Sequence, residues 1–355
     1  MKASIIIPTC NRADQLSRTL DSVLSIDFDR NEYEVIVIDN GSTDHTRSVV
    51  EQSIADHPEH TVRYIYDAVP GLLTGRHRGA KEATSDILVF IDDDIAAAKG
   101  WLSAIVDTFQ KFPHVHLVGG KCLPKYEKEP PQWIDAFWNE APGGGRYMGE
   151  LSLCDLGDEP KEIDPMFVWG LNFSIRKQSL YELGGFHPDN IPPQFQQFQG
   201  DGETGVSLAM KARGFSAFYH PLATVYHEVP AERMTIGYFD RRFFYQGISN
   251  SFTDLRVKHG SEIVKADISL IEILKKVYRN TVRIFKKKPE NPGKNAVAVE
   301  HTLLLHRFRA MESAGYQFHQ SAAQNSETIM EWVTRKDYFD YHLPSNSVAN
   351  KKRIL

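Results

Sequence analysis

Three consecutive carboxylates, Asp92, Asp93 and Asp94, follow directly after the apolar run Ile87–Ile91. A continuous apolar run of this length is typical of a strand that is buried on both faces. Adjacent acids inside such a strand would repel one another and lose their hydration, so we expect them where the strand emerges. Clustered carboxylates there suit a hard divalent cation that keeps ligand positions for phosphate oxygens. The alternative is a solvated acidic turn that caps the next helix, because Asp is a common turn residue.

Polar side chains also follow the other strands that the sequence predicts. Residues 3–7 and 33–38 have apolar strand patterns, and they are followed by the Pro8–Arg12 turn and by Asp39. Strand patterns that alternate with amphipathic helices predict an α/β fold with a mainly parallel central sheet flanked by helices. Because ligands bind outside the carboxyl ends of such strands, we expect the turn, Asp39 and the three aspartates to share one site.

The composition describes an ordinary folded protein and excludes several classes. The chain has 355 residues, 41% of them hydrophobic and 25% charged, and its net charge of -5 argues against nucleic acid as a partner. Three widely spaced cysteines give no disulfide framework and no metal pair, which favours a reducing, cytoplasmic setting. No predicted strand is followed by the glycine-rich motif of dinucleotide dehydrogenases or P-loop enzymes. No apolar run approaches the ~20 residues of a transmembrane helix.

Three motifs in this order resemble the family 2 inverting glycosyltransferases, whose catalytic domain has the GT-A fold. The motifs are Ser4–Arg12, Val37–Asp44 and Phe90–Asp94. The resemblance implies transfer of a sugar from a nucleotide-sugar donor, UDP-linked by the habit of the family, to an acceptor hydroxyl. It also implies that the donor is bound by Pro8, Thr9, Asn11, Arg12 and Asp39. Among these, Asp39 would hydrogen-bond the nucleobase. For Asp39 the alternative is a turn aspartate that bonds its own backbone.

The three aspartates match the D-x-D-type motif of the family. The resemblance makes Asp94 the strongest metal candidate, places Asp93 nearer the ribose of the donor, and leaves Asp92 to bind the metal directly or through water. In several branches of the family a histidine at the position of His227 completes the metal site. Histidine is a better ligand for Mn²⁺ than for Mg²⁺, so His227 favours manganese, although a lone histidine is often a packed or surface residue. Arg233 follows on a loop from which it could close over the diphosphate.

Two further segments resemble donor and acceptor regions of the family. In the first, Gly71 permits close backbone approach and Arg76 could bond the donor diphosphate, although a surface arginine is the alternative. In the second, Trp169, Gly170 and Asn172 are acceptor-site candidates, and Asn172 could instead be a satisfied turn amide.

The catalytic base is expected at the start of a helix that ends near Gly214. Counting back from Gly214 places Glu203 at the position of the family's catalytic acid, with Asp201 two residues earlier. The family usually shows an adjacent Glu-Asp pair, so this chain departs from the pattern. A carboxylate at Glu203 could still remove the proton of the acceptor hydroxyl. The alternative is that both acids only favour the helix N-terminus electrostatically.

The resemblance covers almost all of residues 1–258, which we expect to form the GT-A catalytic domain. This domain would have a nucleotide-sugar-binding half, 1–120, and an acceptor half, 121–258. Within it, residues 121–165 are rich in proline, glycine and aromatic residues and predict a long irregular excursion. Residues 259–355 are expected to form a helical extension. Its segment 262–288 is amphipathic with a basic face, which could lie on anionic lipid or could pack on the catalytic domain.

These patterns together predict a metal-dependent hexosyl- or related glycosyltransferase that acts on a glycan, lipid-linked or small-molecule acceptor. We expect it in the cytoplasm, with possible peripheral contact at the inner face of the membrane. A non-catalytic nucleotide-sugar-binding protein is one alternative. A sugar-nucleotide pyrophosphorylase is another, but it would need a glycine-rich loop with Arg and Lys after the first strand, which the Pro8–Arg12 turn lacks.

Overall fold

The structure is a computed structural model that describes residues 1–69, 71–259, 292–340 and 343. Its strands, in chain order, are β1 Ala3–Thr9, β2 Tyr33–Asp39, β3 Val62–Tyr66, β4 Ile87–Ile91, β5 Ile95–Ala97, β6 Val115–Gly119, β7 Cys122–Tyr126, β8 Asn139–Glu140, β9 Arg146–Met148, β10 Leu153–Asp155, β11 Lys161–Ile163, β12 Asn172–Arg176, β13 Ser216–Tyr219 and β14 Val225–Val229. Its helices are α1 Ala13–Leu24, α2 Thr46–Asp56, α3 Leu72–Glu82, α4 Trp101–Lys111, α5 Lys177–Glu182, α6 Glu203–Ala212, α7 Ile236–His259, α8 Pro292–Gln324 and α9 Glu327–Val333.

The strands form two sheets. The larger has eight strands in the order β11-β13-β6-β12-β4-β1-β2-β3. Strands β4, β1, β2 and β3 are parallel, while β12 runs antiparallel to both of its neighbours, β4 and β6. The smaller sheet has six short strands in the order β5-β14-β7-β10-β9-β8. The parallel strands end at one edge, so the residues after β1, β2 and β4 meet there, as the sequence predicts.

The central strands are buried on both faces, which explains their continuous apolar runs. In β1, Ile5 and Ile7 join a core with Leu16 and Leu20 of α1. Ile6, between them, joins a second core on the other face, which includes Leu73 of α3. The two-residue side-chain period of a strand therefore divides β1 between the cores and fixes its register.

One expectation for the second half of the domain is wrong. The segment 121–165 is not simply irregular, because it supplies β7 to β10 of the smaller sheet. These strands have two to five residues, which is too short for a clear alternating pattern. The aromatic side chains Trp133 and Phe137 of this segment pack against Phe239 and Phe308.

The described C-terminal helices pack on the rest of the chain. Helices α7 and α8 approach closely at Gly247 and Gly315, where an added Cβ would collide with backbone carbonyl groups of the other helix. Beyond α9 the chain reaches α3, where Nδ1 of His77 lies 3.0 Å from the carbonyl of Tyr338. The predicted basic helix at 262–288 lies outside the described residues. Within the described ranges, no helix is long and apolar enough to cross a membrane.

Candidate active site

The turn after β1 and the turn after β4 are joined by side chains. The hydroxyl of Thr9 donates to Asp93 Oδ2 over 2.7 Å. Arg12 contacts both buried aspartates, with Nε 3.3 Å from Asp93 Oδ1 and Nη2 2.7 Å from Asp94 Oδ2. Burial raises the pKa of Asp93 to about 7, against the opposing charge of Arg12. The motif predicted to bind the nucleotide and the motif predicted to bind the metal therefore meet at one sheet edge.

Asp94 and His227 lie together beneath Arg233. Arg233 donates from Nη2 to Asp94 Oδ2 over 2.9 Å and from Nη1 to His227 Nε2 over 2.8 Å. A guanidinium can only donate, so Nε2 accepts and Nδ1 carries the proton that goes to the Leu151 carbonyl at 2.9 Å. The lone pair of Nε2 in this neutral tautomer therefore points at Arg233. Burial opposes ionisation of Asp94, but the charges of Arg233 and Arg12 hold its pKa well below the usual range.

The oxygen atoms of Asp94 and the Nε2 atom of His227 fit a divalent cation. Asp94 Oδ2 and His227 Nε2 are 3.6 Å apart, and Asp94 Oδ1 is buried without a hydrogen-bond partner among the described residues. A buried carboxylate oxygen left in this way is costly unless a ligand satisfies it. A carboxylate with a neutral imidazole suits Mn²⁺.

Arg76 of α3 joins Asp92 to Glu203. Its side chain is 3% exposed, and its terminal nitrogens lie 3.4 Å from Asp92 Oδ1 and 3.4 Å from Glu203 Oε2. The other oxygen of Glu203 accepts from the Gly170 backbone N–H at 3.1 Å. A Cβ at Gly170 would collide with the Arg76 guanidinium, so any larger residue there would have to displace that side chain. The predicted base, a predicted donor residue and a predicted acceptor residue therefore form one cluster.

Asp201 and Asn172 are placed elsewhere. The carboxylate of Asp201 lies 2.5 Å from His187 Nδ1 and accepts from the Thr253 hydroxyl over 2.6 Å. Asn172 accepts from the Trp101 indole at 2.9 Å and donates to the Ala223 carbonyl at 2.8 Å. Asp201 therefore braces the start of α6, and Asn172 is the satisfied amide of the alternative interpretation.

Asn11 and Asp39 connect the turns after β1 and β2. Asn11 has a positive φ of 55°, and its side-chain oxygen accepts from the Thr43 backbone N–H at 2.7 Å. Asp39 accepts from the Ser42 N–H at 2.8 Å and from the Tyr64 hydroxyl at 2.7 Å. Asp39 therefore does bond its own turn.

The remaining predicted residues line the same region at close packing distance. Pro8 lies against α3, where a Cβ at Gly75 would come within 2.8 Å of its ring. Gly71 precedes the first turn of α3 with φ 115°, which favours glycine. The half-buried indole of Trp169 donates to the Met166 carbonyl at 3.2 Å.

Residues 4–184 match the sequence model of the family described as glycosyl transferase family 2. The chain belongs to this family. The glucosyl-dolichyl phosphate glucuronosyltransferase of Haloferax volcanii is 24% identical over 328 residues, which are 90% of this chain and 96% of that protein. The GalNAc(5)-diNAcBac-PP-undecaprenol beta-1,3-glucosyltransferase of Campylobacter jejuni is 32% identical over 243 residues, 66% of this chain and 68% of that protein.

A family 2 glycosyltransferase should share its fold with solved enzymes of the GT-A type. The mannosyltransferase PcManGT of Pyrobaculum calidifontis, solved with GDP-Man and Mn²⁺, has a TM-score of 0.52 to this chain at 19% identity. The likeness covers 91% of this chain and 86% of that one. The predicted fold and the predicted enzyme class, a glycosyltransferase, are therefore confirmed.

Sequence reasoning missed Asp189, a carboxylate at the same site. Burial raises the pKa of Asp189 to about 6, and the charge of Glu203 adds to this effect while Arg76 and Arg242 oppose it. Its Oδ1 accepts from the Asn190 N–H at 2.8 Å and from the Gln199 amide at 2.7 Å. No motif marked it, because the loop that carries it is irregular. Only its place three residues after Gly-Gly-Phe186 could have drawn attention to it.

Proposed function

We propose that this family 2 glycosyltransferase is a metal-dependent, inverting enzyme that transfers a sugar from a nucleotide-sugar donor, UDP-linked by default, to a hydroxyl of a lipid-linked glycan. The observation that carries this proposal is the Arg76 bridge between Asp92 and Glu203. It puts a carboxylate suited to general-base catalysis beside the carboxylates suited to the donor and the metal.

The donor would lie across the carboxyl ends of β1, β2 and β4. Thr9 and Arg12 hold Asp93, which would bind the ribose, and Asp39, which accepts from Tyr64, would bind the nucleobase. Asp94 and His227 would hold the cation, Mn²⁺ in preference to Mg²⁺, with Asp92 nearby. When bound, the cation neutralises the negative charge of the departing nucleoside diphosphate. The Pyrobaculum mannosyltransferase with GDP-Man and Mn²⁺ supports a donor and a metal of this kind.

Glu203 would remove the proton of the acceptor hydroxyl while the oxygen of that hydroxyl attacks the anomeric carbon of the donor sugar. The Gly170 N–H fixes one carboxylate oxygen of Glu203, and the Arg76 guanidinium contacts the other. One base and one in-line attack give inversion. Trp169 and Gly170 would line the acceptor, while Asn172 would support them from the core and Asp201 would brace Glu203 from behind.

The acceptor class is inferred from the relatives. The proteins from Haloferax and Campylobacter are both named for acceptors on a polyprenyl carrier, dolichyl phosphate in one and undecaprenol diphosphate in the other. An acceptor of this kind would bring the enzyme to the membrane surface. A cytoplasmic enzyme with peripheral membrane contact fits this substrate.

A transfer assay tests the proposal. The purified chain is incubated with Mn²⁺, a panel of UDP- and GDP-sugars, and glycans linked to short polyprenyl diphosphates or to simple alcohols. We expect release of nucleoside diphosphate that depends on both the metal and the acceptor. Donor binding without release in any combination would favour the non-catalytic alternative.

A further inference from the structure

Arg233 lies where a cation shared by Asp94 and His227 would lie. Its two terminal nitrogens bond the two atoms that would ligate the metal, Asp94 Oδ2 at 2.9 Å and His227 Nε2 at 2.8 Å. Those two atoms are 3.6 Å apart, a separation that two metal–ligand bonds of roughly 2.0–2.2 Å can span. A guanidinium and a divalent cation would therefore compete for the same pair of atoms.

The protein offers few other ligands there. In the part of the chain that the structure describes, no group of three or more His, Cys, Asp or Glu side chains is placed to hold a metal. A cation on Asp94 and His227 would need its other ligands from elsewhere, and diphosphate oxygens are the natural supply. The side chains alone therefore make an incomplete site.

The charges around Asp94 also make binding of the cation depend on the diphosphate. Arg12 also bonds Asp94 Oδ2, at 2.7 Å, so two guanidinium groups already surround one carboxylate. A divalent cation added to this group meets two like charges. A diphosphate removes that obstacle, because its oxygens accept the fork of an arginine and also ligate the cation.

The two arginines differ from Asp94 in their exposure to solvent. The side chain of Arg233 is 20% exposed and that of Arg12 is 32% exposed, whereas that of Asp94 is 3% exposed. Arg233 belongs to the short turn Ala231–Met234, between β14 and α7, and its side chain is partly open to solvent. A partly exposed arginine on a short turn is better placed to change its partner than the buried Asp94.

We propose that Arg233 holds the cation position of the donor-free enzyme and moves onto the diphosphate when metal and donor bind, which makes their binding cooperative. This inference rests on the proposed function. Arg233 acts as a positioning residue that keeps Asp94 and His227 aligned before the donor arrives. By linkage, the metal must tighten nucleotide binding by the same factor as the nucleotide tightens metal binding.

The test measures Mn²⁺ binding itself, by the electron paramagnetic resonance signal of free Mn²⁺, with and without UDP. For the wild type we expect UDP to tighten Mn²⁺ binding at least tenfold. In Arg233→Ala we expect Mn²⁺ alone to bind more tightly than to the wild type, and the effect of UDP to shrink. Arg233→Gln keeps much of the length of the side chain but not its charge, and it should show the same two effects. It replaces the alanine variant if that variant does not fold.

Arg241→Ala is the matched control, because Arg241 is an exposed arginine on α7 that lies over Tyr238 and not over the cluster. It should bind Mn²⁺ as the wild type does. Unchanged or weaker binding of Mn²⁺ alone in both Arg233 variants would overturn the inference, even if the wild type transfers sugar with Mn²⁺. A wild type that transfers sugar without any metal would instead overturn the metal dependence in the proposed function.

Discussion

The guanidinium of Arg76 lies 3.4 Å from the carboxylate of Glu203, although the two residues are 127 positions apart in the chain. Arg76 is buried and also reaches Asp92, whereas Glu203 remains 27% exposed at the mouth of the site. One buried guanidinium thus contacts two carboxylates, for which different roles are proposed. In the proposed mechanism the position of Arg76 would therefore control how Glu203 is aligned with the donor.

Replacing the base should separate catalysis from donor binding. In Glu203→Gln we expect transfer to fall about 10²–10⁴-fold, the usual contribution of a general base, because an amide cannot take the proton. Donor affinity, measured by calorimetry with UDP and Mn²⁺, should stay near that of the wild type. Glu159→Gln is the control, since Glu159 is an exposed loop acid. Full transfer by Glu203→Gln would remove Glu203 from the mechanism.

Removing the Arg76 guanidinium should lower stability as well as activity. Arg76→Ala leaves Asp92 and Glu203 facing each other without their partner and empties a buried volume. We expect the free energy of unfolding in urea to fall by about 1–3 kcal/mol. Arg76→Lys should recover part of the stability and less of the transfer rate, because an ammonium lacks the fork that spans both carboxylates. Equal stability of all three proteins would contradict this interpretation.

A methyl group at Gly170 should act on the same cluster. A Cβ there collides with the guanidinium of Arg76, so Gly170→Ala must displace Arg76 from Glu203. We expect a lower rate of transfer and a lower melting temperature. Gly237→Ala is a matched control on α7, because a Cβ at Gly237 meets nothing within 4 Å. A Gly170→Ala variant with the rate of the wild type would show that the position of Arg76 is unimportant.

His77 should make stability depend on pH. Its Nε2 accepts from the Phe186 N–H at 2.9 Å and its Nδ1 faces the Tyr338 carbonyl, so only the neutral ring fits. Burial lowers the pKa of His77 to about 3 from an ordinary value of 6.5. The unfolded chain therefore binds a proton that the folded chain does not bind between these values.

Because of this difference in bound protons, the folded chain loses stability as the pH falls. The stabilisation is fully present above pH 6.5 and is lost as the pH falls, at about 1.4 kcal/mol per pH unit for one proton. Urea unfolding of the wild type and of His77→Asn at pH 7.5, 6 and 5 measures it. The wild type should lose more stability on acidification than the variant does. Parallel losses in the two proteins would show that His77 is not the group responsible.

Much of the site could be predicted from sequence, because its residues follow strands with clear patterns. The ends of β1 and β4 meet as parallel strands must, which brought Arg12 to Asp93 and Asp94. The contacts that sequence could not predict involve partners that are distant in the chain. Asn172 carries the expected motif, but Trp101 and Ala223 take both ends of its amide. No local pattern could reveal that.

The smaller sheet was hidden for a different reason. Its strands are too short to show a period, and Leu151, whose carbonyl fixes the tautomer of His227, lies in the Gly149–Leu151 turn that joins two of them. Asp189 was missed because an acid in an irregular loop looks like any surface acid. In both cases the functional relationship arises from packing between distant segments.

The stereochemistry of transfer tests the central claim most directly. Wild type and Glu203→Gln are incubated with Mn²⁺, the active donor and its acceptor, and the product is analysed by proton nuclear magnetic resonance at the anomeric position. We predict that the wild type converts an α-linked donor into a β-linked product with one nucleoside diphosphate released per linkage, and that Glu203→Gln forms almost none. A product that keeps the α configuration, or equal product from both proteins, would contradict a single in-line attack assisted by Glu203.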